Sequence, residues 1–328
     1  MDQSTMVVSA SPHILGTIST RKVMVGVVVA LLPTLVASAL IFGAGVLLLA
    51  GVTVAACVGF EALYCILMKK PVTVGDFSAV VTGLILAFNL PPGFPLWMAM
   101  LGAFVAIVVA KQMFGGLGFN FANPALVGRI VLQLSFTGPM IDYRYPAIYS
   151  GADALAGATP LLAAQSGNVP IIDLLLGTHA GMLGETCAIT LLLGGLFLVC
   201  SKIISPIIPV VYVGGVYVFK LALDLAGGQG FGAAASGGLG YILSGGLLLG
   251  AIFMATDYVT SPYTRRGKVV FGVLLAILTV AIREWSNTLE GVSYALLLSN
   301  LLVPYIDELT RQRPLGAGRK KKSGKGAA

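Results

Sequence analysis

The chain is 328 residues long, 57% hydrophobic and only 10% charged, with a mean hydropathy of +0.94 and a formal charge of +7. Soluble domains carry about 25% charged residues, so a water-facing globule is excluded and the composition describes an integral membrane protein. The positive balance does not signal nucleic acid: most basic residues flank apolar runs, as membrane topology requires, and no basic face with interleaved aromatics accompanies them.

Residues 1–22 form a polar arm, closed by Arg21-Lys22, without the apolar core of a cleavable signal. Apolar segments follow at 23–42, 44–68, 77–90, 96–113 and 124–136, then at 187–204, 206–223, 239–256, 268–284 and 291–306. The pattern predicts an all-α membrane protein of about ten transmembrane helices, arranged as a first five-helix half over 23–136 and a second over 187–306. Between them lies an insert, 137–186, and after them a basic tail, 307–328.

Charge placement orients these spans. With both termini in the cytoplasm, sixteen basic residues fall in inside segments, Lys111 among them, and two, Arg144 and Arg283, fall outside. That bias obeys the positive-inside rule and puts the insert, with Asp153, Asp173 and Glu185, on the extracytoplasmic face. The tail lysines then face anionic lipid or a soluble partner. An odd number of spans per half inverts the second half relative to the first.

Two segments are too short for the roughly 20 residues of a full span. The run 77–90 stops at Asn89-Leu-Pro-Pro-Gly, and 124–136 starts at Asn123-Pro124, a good N-cap and first-turn pair. Broken helices are tolerated where they line a protein cavity, and in repeat-built transporters they mark ion and substrate sites. Asp76, Asn89 and Asp257, beside these ends and boundaries, are therefore candidates for an ion path. Glu61 and Arg129 stand inside spans at similar depth by helical rise, and buried ionisable groups pair or line a pathway; they are expected to pair with each other. Glycine pairs such as Gly194-Gly195 and Gly245-Gly246 fit close helix packing. The four cysteines, Cys57, Cys65, Cys187 and Cys200, lack metal-ligand spacing, and no nucleotide-binding glycine motif follows a strand.

The polar stretch Asp153-Ala-Leu-Ala-Gly-Ala-Thr-Pro-Leu161 is the feature a passive channel would not need. Asp153, Gly157, Ala158 and Thr159 resemble the flavinylation motif of the membrane subunits of the Rnf and sodium-pumping NADH:quinone oxidoreductase complexes; Ala156 stands where that motif usually has Ser or Thr. Ser11-Pro12-His13, Gly115–Ala125 and Met254–Pro262 are similar to the Rnf D-subunit group, in matching order along the chain. The resemblance implies FMN joined to Thr159 by a flavin transferase, a second non-covalent flavin, riboflavin, and other Rnf subunits as partners. It implies a role in electron transfer between ferredoxin and NAD⁺ coupled to Na⁺ or H⁺ transport. The readings held against it are the B subunit of the quinone reductase, and a passive channel or carrier built from inverted repeats.

Overall fold

A computed structural model of the chain describes residues 19–143, 171–177, 179–185, 187–286 and 291–311; Asp153, Gly157, Ala158 and Thr159 lie outside the described residues. Among the described residues all regular structure is helical. Ser19 opens α1 (Thr20–Phe42), its hydroxyl accepting from the Lys22 N–H, and Gly43 at φ +91° closes it. The first half continues with α2 (Gly45–Leu67), α3 (Ser78–Phe88), α4 (Leu96–Gln112) and α5 (Pro124–Ser135). Two short helices, α6 (Thr137–Met140) and α7 (Ile171–Leu176), lie within the insert. The second half holds α8 (Ala188–Cys200), α9 (Ile207–Ala226), α10 (Phe231–Leu243), α11 (Leu247–Met254), α12 (Arg265–Trp285) and α13 (Val292–Leu309).

Among the described residues three helices, α1, α2 and α9, are long and apolar enough to cross a membrane, and α10 with α11 makes a fourth if the bent pair is one span. Their outward faces are greasy: Val36 and Leu40 of α1 are 56% and 71% exposed. Apolar surface on that scale needs lipid or a partner against it. The segments expected to be short are so, since α3 has 11 residues and α5 has 12. The run 239–256, which reads from the sequence as one continuous span, is instead bent by 64° between α10 and α11. Ser244-Gly245-Gly246 supplies the break: Gly245 sits at φ +69°, a conformation a side chain resists.

Small residues let these helices approach closely, which matters where lipid is as apolar as the side chains. A Cβ at Gly83 would stand 2.7 Å from the Val54 Cα of α2, and one at Gly128 2.7 Å from the Gly102 carbonyl of α4. Side-chain contacts also sort the loops onto two ends. Arg21 lies over the Phe77 ring, Tyr258 hydroxyl donates to the Ile203 carbonyl, Tyr263 N–H reaches Asp307 and Thr264 bonds Thr310. This basic end therefore gathers the start of α1, the 68–77 and 201–206 turns, the 255–264 loop and the end of α13. At the other end of α12, Lys220 bridges Asp224 and Glu284, each at 3.0 Å.

Candidate functional site

A cavity of about 80 Å³, partly open to the surface, lies between the two halves at the basic end. Apolar walls come from Val27 of α1, Ile85 of α3, Leu198 of α8 and Phe253 of α11; Lys111, Asn120, Asn123 and Asp257 supply the polar groups. Two of its elements, 105–112 and 250–254, are π-helical rather than α-helical, a wider turn that recurs at functional sites. Asn123 caps α5 through its side-chain oxygen, which accepts from the Ala125 N–H at 3.1 Å. Asn120 differs: its Oδ1 is buried and has no hydrogen-bond partner among the described residues. A buried carbonyl oxygen left unmatched costs about 1–3 kcal/mol, so this one is free to accept from a water or a bound molecule.

Lys111 ties the cavity to a buried polar cluster. Its Nζ donates to Glu61 Oε2 at 2.9 Å, to Glu61 Oε1 at 3.1 Å and to Ser78 Oγ at 2.6 Å. Glu61 Oε1 also accepts from Thr73 at 2.6 Å and from Gln112 Nε2 at 3.0 Å. Lys111 is 1% exposed and Glu61 0%. The expected pairing of Glu61 with Arg129 is thus not what forms, and Lys111 is not a surface residue of the positive-inside count. Helical rise fixes depth along a span but not which face looks at which, and the last turns of α4 bring Lys111 against α2.

Arg129 belongs to a second cluster, around two helix breaks. At the end of α3 the freed carbonyls are met by a returning segment: Gly184 N–H donates to Phe88 O at 2.8 Å and Leu183 N–H to Leu90 O at 3.1 Å. Ser38 of α1 holds that segment through the Leu183 carbonyl at 2.6 Å. Arg129 Nη1 donates to Asn89 Oδ1 at 2.6 Å, and its Nη2 lies 3.9 Å from Glu185 Oε1. A Cβ on Gly246 would meet that same carboxylate oxygen at 3.0 Å, so Glu185 faces the start of α11. Arg283 stacks over Tyr241 and donates to the Tyr241 and Ser244 carbonyls at 3.0 and 3.3 Å, closing the end of α10. Each charge complements the dipole end it touches, negative at a helix N-terminus and positive at a C-terminus. The charge pattern of the sequence puts Glu185 in the insert and counts Arg283 on the extracytoplasmic side; they are buried because the broken helices present uncompensated ends to them.

The three ion-path candidates are not brought together. Asp76 accepts from the Ser78 N–H at 2.8 Å and from Ser78 Oγ at 2.6 Å, at the start of α3. Asn89 sits at the other end of α3, about 20 Å away by helical rise. Asp257 is on the cavity wall, where burial raises its carboxyl above the ordinary range while the Val259 N–H and Thr260 Oγ1 oppose the shift. Ser78, shared by Asp76 and Lys111, links the first of these to the cavity. Among the described residues no group of three His, Cys, Asp or Glu side chains could hold a metal. His179 is buried with its Nδ1 3.3 Å from the Asp173 carbonyl.

A family model described as the NQR2, RnfD, RnfE family matches residues 7–316. The chain belongs to that family. The D subunit of the Na⁺-translocating ferredoxin:NAD⁺ oxidoreductase complex of Acetobacterium woodii is 40% identical over 99% of this chain and 100% of that protein. The D subunit of the proton-translocating ferredoxin:NAD⁺ oxidoreductase complex of Clostridium ljungdahlii is 37% identical, over 95% of this chain and 96% of its own. The D subunit of an ion-translocating oxidoreductase complex of Stutzerimonas stutzeri is 37% identical over 91% and 92%. Family membership thus extends along both helical halves, the cavity between them and the insert.

Proposed function

We propose that this chain is the membrane-embedded D subunit of an ion-translocating ferredoxin:NAD⁺ oxidoreductase, carrying one flavin on Thr159 and a second in the cavity. The observation that carries the reading is 40% identity to a relative of that name across 99% of the chain. Support for the second flavin comes from the cavity itself. Its apolar walls suit the face of a flat aromatic body, its open side leaves room for the rest of the molecule, and Asn120 Oδ1 offers an acceptor to a donor such as a ring N–H. Riboflavin bound there supplies one- or two-electron chemistry. In this reading Asn120 orients the ring, Val27, Ile85, Leu198 and Phe253 exclude water, and Lys111 provides positive charge.

At Thr159 the bond that forms is Oγ1–P, made when a flavin transferase cleaves FAD between its phosphates; FMN stays on the threonine and AMP leaves with the proton. The scaffold is ten spans in two inverted halves, with α3, α5 and the α10–α11 pair as broken elements. It lies in the cytoplasmic membrane of a bacterium or archaeon. The basic end and both termini face the cytoplasm, where anionic lipid and the soluble subunits lie, and the insert faces the other side. The two flavins then stand at opposite ends of one helical body, and electrons crossing between them drive Na⁺ or H⁺ transport. Asp76, Asn89 and Asp257 are the proposed ion-path groups.

The test is direct. The complex is purified from cells that make the flavin transferase, denatured, and run on a gel under ultraviolet light. Fluorescence in the band of this chain that disappears in Thr159→Ala supports the assignment; a dark wild-type band, with the peptide at its unmodified mass, overturns it.

A further inference from the structure

Among the described residues, Lys111 is the only cationic side chain on the cavity wall. That cation is already engaged: its three donors are taken up by the two oxygens of Glu61 and by Ser78. A lysine on its own would present a full charge to the cavity, whereas a lysine locked to a buried carboxylate presents a dipole, whose field falls off faster. Glu61 has no exposure to water, so nothing but its protein neighbours screens it. The carboxylate does not line the cavity; only its partner does.

We infer that Lys111 sets the reduction potential of a flavin in the cavity, and that Glu61 acts through it by withholding part of its charge. The inference rests on the proposed reading of the cavity as a flavin site. An electron reaching the cavity from reduced ferredoxin, through the other subunits, adds one negative charge; the nearby ammonium group favours that addition and Glu61 weakens the effect. No bond to Lys111 or Glu61 forms or breaks, and neither exchanges a proton. Thr73 and Gln112 have a supporting part, since their hydrogen bonds fix the carboxylate on the far side of the lysine. A purely structural ion pair would hold α2 against α4 and leave the potential alone.

The experiment uses the intact purified complex. Non-covalent flavin is measured in the supernatant after acid precipitation, and its midpoint potential is read spectro-electrochemically as the flavin transition absent from complexes depleted of it. Glu61→Gln, which frees the lysine, is expected to favour reduction at least tenfold, about 59 mV for one electron. Lys111→Met is expected to disfavour it by at least as much. Because each single variant strands a buried charge and could fail to assemble, the double variant Glu61→Gln/Lys111→Met is measured too. It should fall between the two single variants and near the wild type, completing a cycle that isolates the pair. Retained flavin with an unchanged or lowered potential in Glu61→Gln overturns the inference and leaves the cavity reading standing. An acid supernatant without flavin from the wild-type complex overturns both.

Discussion

The cluster around the helix breaks makes a sharp quantitative demand on Arg129. Replacing it with glutamine removes the charge while keeping an amide that can still reach Asn89. Glu185, 5% exposed and 3.9 Å away, is then left as a buried anion with Arg283 as its remaining cation nearby. Coulomb's law gives about 4 kcal/mol for such a pair at an effective dielectric of ~20. Removing one member of a buried pair costs about 3–5 kcal/mol, which is two to nearly four decades in an equilibrium constant at 1.4 kcal/mol per tenfold.

The same reasoning says how to relieve the defect. In Arg129→Gln/Glu185→Gln both charges are gone, so most of the loss should return, less the dipole interaction of Glu185 with the start of α11, roughly 0.3–1 kcal/mol. The assay is the fraction of folded complex surviving graded denaturation in detergent, followed by size-exclusion chromatography. A single variant within threefold of wild type would refute the reasoning. So would a double variant as unstable as the single one, because the loss would then come from packing and not from stranded charge.

Other expected outcomes are more local. Gly184→Ala places a Cβ 2.6 Å from Phe88 Cβ and 3.0 Å from the Phe88 carbonyl; such overpacking costs about 1–3 kcal/mol, read as reduced yield of assembled complex. Gly245→Ala meets both a left-handed backbone at φ +69° and Arg283 Nη2 at 2.7 Å, so its loss should exceed that of Gly43→Ala, which has φ +91° but open space. Asp76→Ala removes the acceptor for Ser78 N–H and Oγ, at about 1 kcal/mol for the lost hydrogen bonds. Amide hydrogen exchange in the first turn of α3 should then quicken by roughly fivefold, while Asp76→Asn keeps most of the protection.

Much of this arrangement is legible in the sequence because membrane chemistry constrains it tightly. Apolar runs locate the main helices to within a few residues, apart from α10, which starts at Phe231 where the run 239–256 starts eight residues later, and the prolines and Asn-Pro step mark α3 and α5 as short. Azimuth is what such patterns do not carry. Glu61 and Arg129 share a depth, but depth says nothing of facing, and Lys111 counts with the surface lysines although its long stem and the π-helical end of α4 carry it inward. The break at Ser244-Gly245-Gly246 has a signal, a Ser-Gly-Gly triplet inside an apolar run, that close packing also explains. The return of residues 179–185 into the bundle is hidden in the same way. Gly181-Met-Leu-Gly184 is apolar enough to be buried, yet it lies at the end of the insert and reads as its last turn.

Burying Arg129, Glu185 and Arg283 within a lipid-embedded chain calls for a reason that a continuous helix would not provide. A helix interrupted inside the bundle leaves carbonyls at one end and N–H groups at the other, each end carrying roughly half a charge, and no water is available to satisfy them. Here the returning segment satisfies Phe88 and Leu90, Arg283 satisfies Tyr241 and Ser244, and Glu185 faces the start of α11. The ionised side chains are therefore the complement of the breaks. This separates the two clusters by role. The Arg129 cluster follows from the architecture and is expected to matter chiefly for folding. Lys111 and Glu61 complement no broken end, and they adjoin the cavity with the unmatched Asn120 oxygen. Substitutions in the first cluster should therefore change how much complex assembles, and substitutions in the second should change the redox behaviour of complex that has assembled. Finding both effects at both clusters would dissolve the distinction.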